Sequence, residues 1–414
     1  MSTSYCFPFG RARREVRVIN QVVLILIIAG GAALCRGQEK TALKDENLQN
    51  SSSSVQPPSW MTSPLFHSPR VFAADYNEMR SKFKVYIYPF KKNVTNYMFD
   101  YAGADGPFPG GNYASEFFFF RNLYESDYIT KDPEEAHLFV LPFSVFKLRL
   151  ALGPNAVAPY VKYYMEEVIR KEFPYWNRTG GTDHFYATCH DLGSMVSENA
   201  GDLGQHAIQV ICPSCIYLRT YIPNKDMSYP QIWPHPEAKP GGLPAEKRNI
   251  LAFWSGTQNS RSRVYVKSIW EEDEEILLGG GKVLMKKVRG PDYFENFRSA
   301  KFCLHITGSQ VHTARIGDAV KFGCVPVIIS DHYDLPFNKI LNWKELAVVV
   351  KESNVAKLKQ ILKAADHPRL YKNVEALRRH FTGNTKSQDY DLFNMMMYEL
   401  WLRRFTIRPS FAMY

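Results

Sequence analysis

Residues 302–330 read FCLHITGSQVHTARIGDAVKFGCVPVIIS, and the order of patterns inside this stretch decides the fold class. FCLHIT (302–307) is an apolar run ended by Gly308; Thr313–Phe322 puts Ile316, Ala319 and Val320 on one helical face; Gly323 stops the helix; CVPVIIS (324–330) is a second apolar run. Strand, helix and strand in that order form a βαβ unit, which requires a parallel sheet. Upstream, NILAFWSG (249–256) reads as a strand ending in glycine, Arg261–Trp270 as a helix and KVLMKK (282–287) as a short strand. Still earlier, FKVYIYPF (83–90), HLFVLPF (137–143), DHFYATCHD (183–191) and IQVICP (208–213) read as strands, and Asn155–Phe173 carries helical periodicity. Between the two groups, Pro223–Pro244 holds Pro230, Pro234, Pro236, Pro240 and the pair Gly241 and Gly242, the best internal boundary. The expectation is an α/β protein of two Rossmann-like domains, 81–240 and 245–385, facing a ligand cleft, with a terminal helix within 386–414 packing back on the body.

The N-terminal part has a different character. Val18–Cys35 carries no charge and is apolar enough for a bilayer-spanning helix, while Arg11, Arg13, Arg14 and Arg17 precede it against only Glu15. This reads as a signal anchor at 18–35 with residues 1–17 in the cytosol and the rest in the lumen; a cleaved signal peptide is the alternative. Residues 36–80 contain SSSS (51–54) and Pro57, Pro58, Pro64 and Pro69, and read as a flexible stem. Sequons at Asn50, Asn93 and Asn177 are candidate glycosylation sites on the lumenal side. The chain has 414 residues, 45% of them hydrophobic, and 51 Lys+Arg against 41 Asp+Glu, a net +10 that suits an anionic ligand or membrane surface. No zinc-finger spacing, RNP-type motif or basic stripe points to nucleic acid. CPSC (212–215) is a lone CxxC with no second ligand pair, so the cysteines read as structural, some of them bridged.

Candidate site residues cluster around the strand ends. Gly308 would allow close backbone approach to a ligand, and Ser309, His312 and Thr313 add donors at the start of a helix, where phosphate oxygens dock. Arg315 and Asp318 share a helix face and could grip a diphosphate and a sugar or ribose hydroxyl; the bland reading is a surface ion pair. Arg263 follows the glycine that ends the 249–256 strand, again where such sheets bind anions. Asp183, His184, His190 and Asp191 lie at the two ends of one expected strand, and one of them facing the cleft could act as general base. The single DxD, Asp389–Asp391, reads as part of a solvated helix face, so no metal site is expected. Walker A, GxSxG and HExxH patterns do not occur.

The stretch SAKFCLHITGSQVHTARIGDAVKFGCVPVIISDHYDLPF resembles the signature of exostosin-like glycosyltransferases, and is most similar to their plant branch. KVYIYPF, YASEFFFFRNLYESDYITKDPEEAHLFVLPF, YWNRTGGTDHF and the G-x6-R-x6-W run through Gly256, Arg263 and Trp270 extend the resemblance over roughly Phe83–Arg404. The resemblance implies a GT-B-type, inverting transferase of the Golgi. It would move a sugar from a nucleotide donor, such as a UDP-sugar, to a cell-wall polysaccharide or glycoprotein glycan without a required metal cofactor, in possible complexes with other glycosyltransferases. Its donor site would lie in the second half, with the acceptor in the first. Gly308, Arg315 and Asp318 fall on the family's G-x-x-x-x-S/T-x-R-x-x-E/D-A pattern, with Ser309 inside it, and Arg263 on its arginine. The acidic position is Asp where Glu is commoner, and H-I-T-G stands in place of C-x-P-x-G. A non-catalytic exostosin-like subunit and a secreted glycan-binding protein are the competing readings.

Overall fold

Two fully parallel sheets carry the fold in the computed structural model, which describes residues 56–404 apart from 63, 90–110, 218–220, 237 and 280–290. The first contains β1 (Val85–Ile87), β2 (Ile129–Thr130), β3 (Leu138–Val140), β4 (His184–Thr188), β5 (Ile208–Ile211) and β6 (Met227–Ser228), in the order β2-β1-β3-β4-β5-β6. The second contains β7 (Ile250–Ser255), β8 (Ile276–Gly279), β9 (Ala300–Ile306), β10 (Val325–Ile329) and β11 (Val348–Val349), in the order β11-β10-β9-β7-β8. Every residue of β4 and of β10 is buried, as expected of parallel strands covered on both faces. In the second sheet the chain steps outward from β7 to β8 and then returns to the other side of β7 with β9. The loops after β7 and β9 therefore diverge from a topological switch point, the crevice where such sheets bind ligands.

The helices needed below are α1 (Pro69–Lys82), α2 (Ala114–Tyr124), α3 (Val145–Leu152), α4 (Arg261–Trp270), α5 (Arg315–Lys321) and α6 (Leu392–Arg403). α1 starts with proline in its first turn, where a missing N–H costs nothing. α2 buries Phe117, Phe118, Phe119 and Phe120 together, so it is covered on all sides. The helix expected over 155–173 is present as Val157–Tyr164, a π-turn at Met165–Ile169, and Arg170–Glu172.

Several expectations change. The stem was expected to run to residue 80, yet Met61, Leu65 and Phe66 are buried and α1 packs with α6, so the packed structure begins before Phe83. The segment read as a connector still contributes β6 to the first sheet. Asp391 is not on a solvated face. It is 2% exposed and caps α6, its carboxylate accepting from the Asn394 N–H, while Asp389 stays exposed beside Arg80. β8 was missed because its four residues follow an acidic run and show no alternation.

Some of the cysteines are bridged, as expected, and the structure supplies the pairing. Cys189–Cys212 ties the residues just after β4 and β5, and Cys303–Cys324 ties β9 to the turn entering β10. Among the described residues no helix is long and apolar enough to cross a membrane. The tail at 1–17, the anchor at 18–35, the stem to residue 55, Asn50, Asn93 and the strand at 282–287 lie outside the described residues. Asn177 is exposed, on the short helix Tyr175–Thr179.

α6 packs back on the body as expected, against α1 and α2 of the first half. Its last turn is anchored by Arg403, 5% exposed, which donates through Nη2 to the Asp226 carbonyl at 2.7 Å and through Nε to the Lys225 carbonyl at 3.1 Å, and pairs with Glu399. Removing one member of a buried charge pair leaves the other without compensation. Arg403→Ala should therefore lower the unfolding free energy by about 3 to 5 kcal/mol in a denaturant titration.

Candidate active site

The loops after β7 and β9 border a cleft with about 670 Å³ of empty space, counting what is open to solvent. One wall comes from the second sheet: Thr257, Asn259, Arg263, Tyr293, Gly308 through Arg315, excepting Val311, and Asp318. The other comes from the first sheet and the connector: Asn112, Tyr113, Asp191, Gln231 and Trp233.

Two arginines organise the second-sheet wall around one indole. The guanidinium carbons of Arg263 and Arg315 lie 5.7 and 5.6 Å from the ring of Trp254, the penultimate residue of β7. Arg263 is 4% exposed, and its fork is consumed by protein acceptors: Ile306 O from Nε and Nη2, Thr257 O and Asn259 Oδ1 from Nη1. Burial, with Arg315 close by, pulls its pKa down. Arg263 therefore holds the 257–259 and 306–308 loops together rather than reaching out to a ligand. Gly308 serves that packing: a β-carbon there would stand 2.6 Å from Arg263 Nη2, so the glycine makes room for the guanidinium and not for a ligand, as the sequence had suggested. Gly256 does the same for Arg315, whose Nη2 would meet its β-carbon.

Arg315 is half-buried and spends only Nε on the protein, donating to Ser255 O at 2.7 Å. It does not pair with Asp318, which settles the surface ion-pair reading against itself. Asp318 is 4% exposed and accepts from Tyr293 Oη at 2.7 Å and lies 3.1 Å from His235 Nε2. The helix holding them is shorter than expected, seven residues instead of Thr313–Phe322, and Thr313 Oγ1 accepts from Arg315 N–H at its start. Ser309 Oγ accepts from Asn259 Nδ2 at 3.1 Å. Ser260 caps α4 and also donates to Thr307 O at 2.6 Å, locking the two loops to each other.

The four residues at the ends of β4 separate. Asp183 and His184 sit at its N-terminal end, away from the cleft; His184 is fully buried between Tyr88 Oη at 2.6 Å and Asp183 Oδ1 at 2.7 Å and stacks on Phe139. Burial lowers its pKa. That is a core histidine, because a parallel strand presents only its C-terminal end to the crevice. Asp191 is at that end and lines the cleft. His190 is turned inward, with Nδ1 accepting from Leu192 N–H at 3.0 Å and its ring 4.5 Å from that of Tyr113, and burial pushes its pKa down to about 4.

Sequence reasoning missed Trp254, Tyr293, His235, Gln231 and Trp233. The last three come from the connector, whose Trp-Pro-His-Pro run was the available signal: rigid prolines beside an aromatic and a histidine fit a wall better than a linker. No group of three or more His, Cys, Asp or Glu placed to hold a metal occurs among the described residues.

Comparison with known proteins bears on what this cleft does. The exostosin GT47 domain matches residues 79–365. The chain belongs to the exostosin GT47 family. Two probable glycosyltransferases of Arabidopsis thaliana are 32% identical over 371 residues (83% of this chain, 73% of the relative) and 31% identical over 357 residues (83% and 66%). A probable glucuronosyltransferase of rice is 28% identical over 300 residues (68% and 71%). This GT47 chain is accordingly a glycosyltransferase.

One buried acid fixes the first-sheet wall of the GT47 site. Glu116 on α2, 2% exposed, accepts from the Ser144 hydroxyl that caps α3 and, at 3.2 Å, from the Cys189 N–H two residues before Asp191. Burial pushes its pKa up to about 7, with those hydrogen bonds opposing. A raised acid pKa stabilises the fold below the unfolded value near 4.5, and that stabilisation is lost as pH rises through about 7. The unfolding free energy should decline by a few kcal/mol, of order 3, across this window, and Glu116→Gln should flatten the decline when both proteins are denatured at a series of pH values.

Proposed function

We propose that this cleft binds a nucleotide sugar, a UDP-sugar, and that the enzyme transfers the sugar with inversion to a polysaccharide or glycoprotein glycan. The observation that carries the reading is Arg315: a cation fixed at the switch point through Nε alone, with its remaining donors toward the cleft, opposite a carboxylate from the other sheet. Its planar fork suits two oxygens of a diphosphate. Asp318, held by Tyr293 and His235, keeps lone pairs for a sugar or ribose hydroxyl. Arg263 adds positive charge behind the loop without contacting the donor.

Asp191 is the candidate base from the first sheet. The acceptor hydroxyl gives its proton to Asp191 while its oxygen bonds to the anomeric carbon. The bond from that carbon to the diphosphate oxygen breaks on the opposite side, and the nucleotide diphosphate leaves with the electron pair. A single displacement inverts the anomeric centre. The leaving charge develops beside Arg315, where a preorganised cation stabilises it most. The reading extends to a GT-B arrangement and to a Golgi enzyme anchored through residues 18–35, its site lumenal, with the first half, which supplies Asp191, as the acceptor side and the second half, which supplies Arg315, as the donor side.

A donor screen of residues 39–414 against nucleotide sugars, UDP-glucuronate included because of the rice relative, tests the reading; binding of none of them refutes it. Arg315→Ala should lower donor affinity or turnover by roughly tenfold to more than a hundredfold at nearly constant melting temperature, since it removes charge-assisted hydrogen bonds worth about 1.5 to 3 kcal/mol; Asp318→Ala should lower them as far and also lower the melting temperature, because it leaves the buried Tyr293 hydroxyl and His235 without their acceptor. Arg315→Lys should be nearly as poor as the Ala variant. Transfer should survive EDTA, since arginine is assigned the role of stabilising the leaving group; activity lost to EDTA and restored by manganese contradicts that assignment.

A further inference from the structure

His312 is a titratable side chain of the cleft that the reading above leaves without work. It is fully buried by its surroundings, 4% exposed, and lies in the cleft wall, yet neither ring nitrogen makes a hydrogen bond of ordinary geometry. A buried imidazole in that state costs free energy, and native proteins keep few such groups away from functional sites. Its neighbours are accounted for: His305 has Nε2 2.8 Å from Val311 O and Nδ1 3.1 Å from Thr313 Oγ1, His190 accepts from Leu192 N–H, and His235 serves Asp318. His312 Nε2 instead stands 3.4 Å from Asp191 Oδ1, a contact between a loop of the second sheet and the end of β4 in the first.

We propose that His312 and Asp191 form a proton-accepting pair across the cleft, His312 taking from Asp191 the proton that leaves the acceptor hydroxyl. This rests on the cleft being the transfer site and on Asp191 being its base. The pair closes a balance that Asp191 alone leaves awkward. A carboxylate that has taken a proton beside the leaving diphosphate loses the charge that made it a base; passing the proton to Nε2 restores the carboxylate and creates an imidazolium next to it. In outcome the acceptor O–H bond breaks, the His312 N–H bond forms, the acceptor oxygen gains the sugar and the diphosphate departs with its electrons. His312 is a positioning and proton-storing residue that acts through Asp191.

The surroundings suit the role. Burial lowers the His312 pKa, while Asp191 and the Cys189 backbone raise it, so the ring is neutral and ready to accept while its partner carboxylate stabilises the charged form. The charged or titratable groups facing the pair are Tyr113 before α2, Arg149 on α3, His190 after β4, Arg263 on α4 and His305 on β9. The site exists only when both sheets bring their loops together, and the 3.4 Å gap is of the kind that tightens when substrate binds.

The test compares wild type, His312→Gln, His312→Ala, Asp191→Asn and the double variant Asp191→Asn/His312→Gln in transfer with a donor that binds. His312→Gln is expected to lower kcat about a hundredfold or more with donor Kd, measured by calorimetry, within about twofold of wild type. The acidic limb of its kcat against pH should move, imidazole should partly restore His312→Ala, and the double variant should be no worse than the poorer single one. Wild-type kcat and pH profile in His312→Gln, or additive losses in the double variant, overturn the pair while leaving the transferase reading intact. Absence of transfer by the wild type with every donor overturns the parent reading and the pair with it. Should the alanine variant fail to fold, an NMR titration of His312 decides: Asp191→Asn must shift it, and an unshifted titration refutes the coupling.

Discussion

The packing of two guanidinium groups against the Trp254 indole is the constraint on which the second-sheet wall depends. Arg263 and Arg315 are like charges in one small region, and bare proximity would push them apart. The indole face attracts both cations, at 5.7 and 5.6 Å. Backbone carbonyls of Ser255, Thr257 and Ile306 then take their N–H groups, so the loops that leave β7 and β9 are held by the arginines they surround. Gly256 and Gly308 are consequences of this arrangement, since a β-carbon at either position would occupy guanidinium space. The two arginines divide the labour: Arg263, with its fork satisfied, is scaffold, while Arg315 retains donors for a ligand.

The first-sheet wall is built on a different principle. Its cleft-lining carboxylate, Asp191, lies two residues past a cysteine that is bridged to the end of β5 and whose N–H is held by the buried Glu116. A covalent tie and a hydrogen-bonded acid thus fix the backbone just before Asp191, and Ser144 carries the same fixation into the start of α3. The wall is completed by the connector. Ser115 Oγ donates to Pro230 O at 2.7 Å and accepts from Ile232 N–H at 2.7 Å, so the start of α2 sets where Gln231, Trp233 and His235 stand. A segment rich in proline has few N–H groups to satisfy and can line a site without a sheet or helix of its own.

Glycosyl transfer needs opposite things from the two walls, a cation for the leaving group and a base for the incoming hydroxyl, and a cleft between two sheets can supply each from a separate scaffold. α6 makes the two walls one structure. It follows the second sheet in the chain, yet packs on α1 and α2, and its buried Arg403 is hydrogen-bonded to the carbonyls of residues 225 and 226 next to β6.

Much of this was legible without coordinates. The alternation of apolar runs and amphipathic segments determined an α/β protein with parallel strands, because the two periods, 2 and 3.6, are local properties of the chain. The glycines and following arginines at the ends of β7 and β9 singled out residues that line the cleft, and the resemblance to exostosin-like proteins agreed with the family that the comparisons establish. What no local pattern could supply is which of two equivalent side chains points where. Asp183 and Asp191 are both acids at the ends of one strand, and only the sheet's direction puts Asp191 in the cleft. Arg263 and Arg315 both follow a glycine, and only packing against Trp254 decides that the first is consumed and the second available. Arg315 and Asp318 are spaced for an ion pair, yet Ser255, Tyr293 and His235, distant in sequence, offer them better partners. Periodicity is written within a few residues of chain; the direction, burial and partner of a side chain are set by groups that only tertiary folding brings near.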